Sequence, residues 1–212
     1  MQELAEVLSR LRECDVRLVY CYSDQTCDSS IFEKFHGNLA DIKTTFAIDF
    51  CSKENLIQHE SADNITPYQS SMSLSSLEQL AIQSGKYSRF ALDPNIPRDK
   101  FVELYKTWIN RSLRKEIAEE TLVIQNCDKI VGMVTLGQKN GRGDIGLIAV
   151  DLNFRGNGYG EQLVRAAQRW FIEHGFEHGQ VVTQERNIPA CNLYKKCGYF
   201  VEKIDYIYHF WL

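Results

Sequence analysis

The segment Arg155-Gly156-Asn157-Gly158-Tyr159-Gly160 sets three alternating glycines behind an arginine. It follows the apolar run Asp144–Val150 and opens a segment in which Leu163, Ala166, Ala167 and Trp170 recur at helical spacing. A strand-to-helix turn of this kind gathers the unpaired amides and the positive dipole end of a helix N-terminus, which together bind anions. Glycines let the backbone curl around a pyrophosphate without Cβ clashes, and Arg155 adds a charge-assisted contact. Two familiar phosphate loops do not fit. A P-loop needs Lys followed by Ser or Thr after its last glycine, where this chain has Glu161-Gln162. A dinucleotide site needs GxGxxG after the first strand of a parallel sheet, and this is GxGxG after an apparent antiparallel meander. A tight turn with no ligand is the remaining alternative, and the glycine spacing behind an arginine weighs against it.

Other reactive side chains are less distinctive. Arg89 sits on a loop with Pro94 and Pro97, where it suits either a nucleotide diphosphate or plain solvation. Asn187 stands where it can cap a helix. Asp144, Glu119, Glu120 and Glu185 fall near strand ends, within reach of a cleft there; such carboxylates are usually solvated, and no base is singled out. His174 and His178 are four apart, but Gly175 breaks the helix between them and no HExxH is present, so no metal site is expected. Cys191 and Cys197 lack metal spacing and read as small packing residues. Tyr194, beside Leu193 on a short helix, reads in isolation as a core aromatic.

The elements that must position these residues follow from periodicity. Leu4, Val7, Leu8 and Leu11 predict an opening amphipathic helix; Val16–Tyr22 and Thr45–Phe50 predict two strands. Residues 1–70 are expected to form a small N-terminal α/β subdomain, and 71–212 the main domain. The polar stretch 51–74, with Pro67, suits an irregular connection. Ser75-Ser-Leu-Glu78 has the form of a capping box, starting a helix that buries Leu77, Leu80 and Ala81 and stops at Gly85. Phe101, Leu104, Tyr105, Trp108 and Ile109 mark a longer helix. Thr121–Gln125, Lys129–Leu136 and Asp144–Val150 predict a meander, because their connections are short. After the glycine turn and its helix, Gln180–Thr183 can run parallel to Asp144–Val150. A helix over Asn187–Lys196 and two closing strands, Phe200–Ile204 and Tyr206–Leu212, complete the pattern.

Bulk composition narrows the class. The 212 residues are 44% hydrophobic, enough for a substantial core, and the formal charge of −4 argues against a general nucleic-acid binder. Seven cysteines without a CxxC pair or an opening signal peptide lead to the expectation of a reduced, cytoplasmic protein. No apolar stretch nears the ~20 residues of a membrane helix. Phe210 and Trp211 near the C-terminus suit a sealed core or a homodimer face.

Arg155, Gly158 and Gly160 match the signature Arg/Gln-x-x-Gly-x-Gly/Ala of the GCN5-related N-acetyltransferase (GNAT) superfamily, which the chain resembles over residues 75–212. The order of elements matches, as does Asn187-x-x-Ala190-x-x-x-Tyr194-x-x-x-Gly198-Tyr199. The resemblance implies an α/β acyl-CoA N-acyltransferase fold, a mixed central sheet with splayed parallel strands. It also implies acetyl-CoA as co-substrate, bound by the backbone of Leu147, Ile148, Ala149 and Val150, by residues 155–160 and by Asn187. Tyr194 takes the general acid's place in that pattern, with direct attack of a free amine on the thioester. A closer likeness is to the bacterial TDP-fucosamine N-acetyltransferases, carried by Ser88-Arg89-Phe90, Tyr105-x-x-Trp108-Ile109, Ile145-Gly146-Leu147-x-Ala149 and Thr183-Gln184. That likeness implies a dTDP-4-amino-4,6-dideoxy sugar as acceptor, with Ser88, Arg89 and Phe90 contacting it. It also implies an N-terminal subdomain that this chain enters part-way. A protein N-terminus, a polyamine or an antibiotic amine are alternative acceptors. A catalytically inactive acetyl-CoA-binding module is the alternative of another class.

Overall fold

A computed structural model describes residues 2–26, 29–50, 64–127 and 129–212. The chain opens with helix α1 (Gln2–Glu13), strand β1 (Leu18–Ser23), helix α2 (Ser29–Phe35) and the long strand β2 (Gly37–Asp49). Strand β3 (Ile65–Pro67) precedes helices α3 (Leu74–Ser84), α4 (Arg89–Leu92) and α5 (Arg98–Leu113). The meander β4 (Glu120–Asn126), β5 (Lys129–Lys139) and β6 (Arg142–Val150) runs through the glycine turn into α6 (Tyr159–Glu173). Strand β7 (His178–Gln184), helix α7 (Ile188–Lys196) and strand β8 (Phe200–Trp211) follow. All of these strands join one sheet in the order β1-β8-β2-β7-β6-β5-β4-β3, with only β6 and β7 parallel.

Alternation along the strands divides the core into two layers. Val123 and Met133 face α3 and α5, packing with Leu77, Leu80, Phe101 and Ile109. Their neighbours Ile124 and Val134 face α6 and α7, packing with Leu163, Val164, Phe171 and Tyr194. Strand β8 repeats the division. Tyr208 and Phe210 pack with Leu8, Ile31 and Phe35 of α1 and α2. His209 and Trp211, on the other face, hydrogen-bond the Asp93 carboxylate just after α4.

Several expectations change. The closing hairpin is absent: residues 200–211 form the single strand β8, and β2 lies between β7 and β8. The capping box is not made. Ser73 caps α3 by accepting from the Ser76 amide, and Glu78 instead pairs with Lys106 at 2.9 Å and accepts from Asn110, tying α3 to α5. Strands β5 and β6 extend into the polar segment 137–143 because Asn140-Gly141, with φ of 55° and 78°, closes a two-residue hairpin. Residues 51–63 of the expected irregular connection, with Cys51, lie outside the described residues, as does Cys27. The rest of that connection contains β3, an edge strand where Pro67 sacrifices no ladder bond inside the sheet. The strands on both sides of the expected boundary near residue 70 share the one sheet.

Candidate active site

Strands β6 and β7 pair only at Gly143–Gly179, Asp144–Gln180 and Ile145–Val181, then part. The divergence has a local cause in β6. Its register against β5 shifts between the pairs Val134–Ile148 and Leu136–Ile145, so that Gly146 and Leu147 together oppose the single residue Thr135 in a bulge. Thr135 Oγ1 replaces the missing ladder acceptor, taking the Leu147 amide at 2.8 Å. Gly146 makes room for it, since a Cβ there would stand 2.9 Å from that oxygen.

The pointing of backbone groups along β6 then follows. The Leu147 amide goes to Thr135, and the Asp151 amide goes to the Val131 carbonyl at 2.8 Å, so both point toward β5. Groups alternate along a strand, so the amides of Ile148 and Val150 face the gap. Of the four residues expected to pair with a co-substrate backbone, Ile148 and Val150 can donate into it. Arg155 is drawn back over the same edge, its Nε donating to the Val150 carbonyl at 3.1 Å.

A groove of about 300 Å³ runs along this edge past Arg155, Gly156, Gly158, Tyr159 and Gly160. Gly156 and Gly158 adopt φ of 84° and 78°, a left-handed conformation that costs a residue with a side chain roughly 1–2 kcal/mol. Gly158 is the N-cap of α6 and makes no side-chain cap bond, which leaves the first-turn amides directed at the groove. The Asn157 side chain braces the turn instead, donating to the Phe154 carbonyl at 3.1 Å. Gln83 of α3 ties in the preceding turn by accepting the Leu152 amide at 3.1 Å. Gln83 and Tyr87 line this groove and carried no sequence signal.

A second cleft of about 350 Å³ opens on the α3–α5 side and holds Ser88, Arg89, Phe90, Tyr105 and Trp108. Arg89 stacks over Phe90 at 4.4 Å and Tyr20 at 5.0 Å from the ring centroids. The two cavities share Ser84, Ile148, Asn187, Ala190 and Tyr194 along their common wall. Asn187 donates to Thr183 Oγ1 at 3.1 Å and does not cap α7, so its side chain braces β7 at the gap. Tyr194 is 2% exposed beside Phe46 and Tyr199, and burial pushes its phenol well above the ordinary value. The phenol therefore stays protonated across the physiological range.

The carboxylates sort by position. Asp144 lines the second cleft, and burial raises it although Gln180 donates to its Oδ1 at 2.7 Å. Glu119 and Glu185 are exposed, and Glu120 accepts from the Thr121 amide; none of these three lines either cavity. Of the charged residues of the second cleft that carried no mark in the sequence, Lys139 lies on β5, and Asp41 and Lys43 on β2. The latter two lie on the part of β2 before Thr45, where the predicted strand begins. Extending the alternation four residues upstream would have placed them on one face.

The chain belongs to the Acetyltransferase (GNAT) family, whose sequence pattern matches residues 90–199. Among curated relatives it is 35% identical over 78 residues to the streptothricin acetyltransferase of Escherichia coli, covering 36% of this chain and 45% of that one. It is 27% identical over 135 residues to the spore coat polysaccharide biosynthesis protein SpsD of Bacillus subtilis, covering 63% and 46%. The chain thus spans just under half the length of each. Solved structures share the fold. A functionally unknown conserved protein from Staphylococcus epidermidis superposes with a TM-score of 0.68 at 15% identity, covering 99% of this chain and 79% of the other. A GCN5-related N-acetyltransferase from Sphaerobacter thermophilus gives 0.60 at 16%, covering 96% and 63%.

Proposed function

We propose that this chain transfers the acetyl group of acetyl-CoA to the amine of a small acceptor, with both substrates bound together. The observation that carries the reading is the junction of two cavities at the β6–β7 gap, with Tyr194 in their common wall. The glycine-turn groove suits the pyrophosphate and pantetheine of acetyl-CoA: uncapped amides and Arg155 meet the anion, and Ile148 and Val150 face the gap. The Ile148 amide is placed to stabilise an oxyanion, a type of contact that often contributes most to the rate. Tyr194 supplies the proton that the leaving thiolate takes up.

The acceptor is a dTDP-linked 4-amino-4,6-dideoxy sugar used in surface polysaccharide. Ser88, Arg89 and Phe90 line the acceptor cleft, where Arg89 and Lys43 offer cations to a diphosphate in a chain of net negative charge. Similarity to a relative named for polysaccharide biosynthesis supports this choice. Similarity to a relative named for streptothricin favours a second reading, a cationic antibiotic amine.

Thiol release from acetyl-CoA separates the two, with dTDP-4-amino-4,6-dideoxygalactose, streptothricin, polyamines and peptides as acceptors. Release with the sugar nucleotide alone is expected; release with another amine alone overturns the sugar acceptor and keeps the transfer. Tyr194→Phe is expected to lower kcat about 100-fold while acetyl-CoA still binds, and unchanged turnover would remove the acid role.

A further inference from the structure

Asp41 is 3% exposed, lines the acceptor cleft with Tyr194, and has an Oδ1 with no hydrogen-bond partner. A buried carboxylate oxygen without a donor is costly and calls for a reason. Its placement follows from a bulge in β2. Leu39 pairs with Tyr208 and Asp41 with Ile207, so Ala40 is the extra residue. Bulges re-aim side chains, and this one turns Asp41 to the cleft side, two residues from Lys43.

The surrounding cations do not neutralise it. Lys43 is drawn to Asp205 on β8 at 3.5 Å, and Lys203 holds the other oxygen of Asp205 at 2.6 Å. Arg89 stacks on the rings of Phe90, Tyr20 and Tyr22. Arg186, just beyond β7, is exposed and acts on Asp41 only at longer range. Among the described residues Asp41 makes no salt bridge within 4 Å. Lys139, Asp144, Tyr22 and Tyr105 complete the charged and titratable groups of the cleft. Asp144 differs in having its Oδ1 taken by Gln180.

We infer that Asp41 is the general base of the transfer, its free oxygen receiving a proton from the ammonium group of the acceptor. The inference rests on the acetyl-transfer reading above. The ammonium gives one proton to Asp41, which passes it to water, and the neutral amine attacks the thioester carbon. The C–N bond forms and the C–S bond breaks; the thiolate takes the Tyr194 proton, and the surplus proton on the new amide nitrogen restores the phenol. One proton is released per turnover. Burial pushes the Asp41 carboxyl up to about 6, against the pull of Arg186, Arg89, the Ile42 amide and Lys43. The group is thus ionised at neutral pH and still a competent proton acceptor.

The test is kcat against pH at saturating acetyl-CoA, using whichever amine gives thiol release, for the wild type, Asp41→Asn and Asp41→Glu. The wild type is expected to lose activity as pH falls through about 6, the value to which burial raises Asp41. Asp41→Asn is expected to fall about 100-fold and lose that acid limb, while calorimetric titration with acetyl-CoA is unchanged. Asp41→Glu keeps the limb. A wild-type profile flat from pH 5 to 7 overturns the inference, and so does an acid limb that survives in Asp41→Asn. If Asp41→Asn does not fold, the wild-type profile and Asp41→Glu decide alone. Absence of thiol release with every amine would sink the acetyl-transfer reading itself, whereas wild-type turnover matched by Asp41→Asn sinks only the base.

Discussion

Asp41 burdens the fold that carries it. Its carboxyl rises from 3.8 to about 6 in the folded chain, chiefly by burial. The folded state therefore holds this proton more tightly than the unfolded chain does. Below about pH 4 both states are protonated and nothing is lost; between pH 4 and 6 stability falls because the unfolded chain gives up this proton while the folded one holds it, and above 6, where the folded group ionises too, the loss is complete. A rise of this size corresponds to roughly 3 kcal/mol at neutral pH. Replacing the carboxylate by a neutral amide removes most of that penalty. Asp41→Asn is expected to be more stable than the wild type to urea at pH 7.5 by about 1–3 kcal/mol, with the advantage gone at pH 4. A variant that gains stability while losing turnover marks a residue kept for chemistry, and a destabilised Asp41→Asn would instead mark Asp41 as part of the structural framework.

One scale up, the residues that shape the gap between β6 and β7 are mostly apolar or small, and they act through strand register. Thr135 is 1% exposed and holds the Leu147 amide at the β6 bulge. Thr135→Val keeps the side-chain shape but leaves that amide without a partner, at a cost of about 1–3 kcal/mol. Urea unfolding is expected to register that loss, and the KM for acetyl-CoA to rise as β6 drifts from its register; an unchanged KM would mean that the bulge does not set the groove. This layer was hidden in the sequence. The turn behind Arg155 was legible because left-handed positions at a helix start, here Gly156 and Gly158, demand glycine, and the helices and meander because their stripes are long. Thr135 looked like any β-branched strand residue, since a bulge depends on pairing with another strand. Asp41 was missed for a related reason. The alternation through Phe46 and Ile48 was clear, but it was not carried upstream of Thr45 to Asp41, and the bulge at Ala40 that turns Asp41 to the cleft shows only in the pairing with β8.

At the scale of the whole sheet, the non-local pairing of β2 decides what the molecule requires to fold. A terminal hairpin would have let the last third of the chain complete its own sheet. Instead β2 pairs with β7 from Lys43 to Asp49 and with β8 from Gly37 to Ala47, a separation of at least 129 residues (Asp49 to His178) that no local pattern reveals. The same strand delivers Asp41 and Lys43 to the cleft proposed for the acceptor, so that cleft draws on both ends of the chain. Removing residues 1–49 would strip the partner from two long strands at once and leave Phe46, Ala47 and Ile48 missing from the core. Open edges of that length pair with other chains, so residues 50–212 alone are expected to aggregate on expression. Removing only residues 1–13 takes away α1, whose one buried side chain among the described residues is Leu8, and no described residue of α1 lines either cavity. That variant is expected to fold with a loss of about 2–5 kcal/mol and to keep its thiol-release rate. Solubility, cooperative urea unfolding and turnover of the two deletions check the argument together. A soluble 50–212 with a cooperative transition would mean that β7 and β8 can close on each other directly, with β2 supplying catalytic groups to a sheet that does not need it.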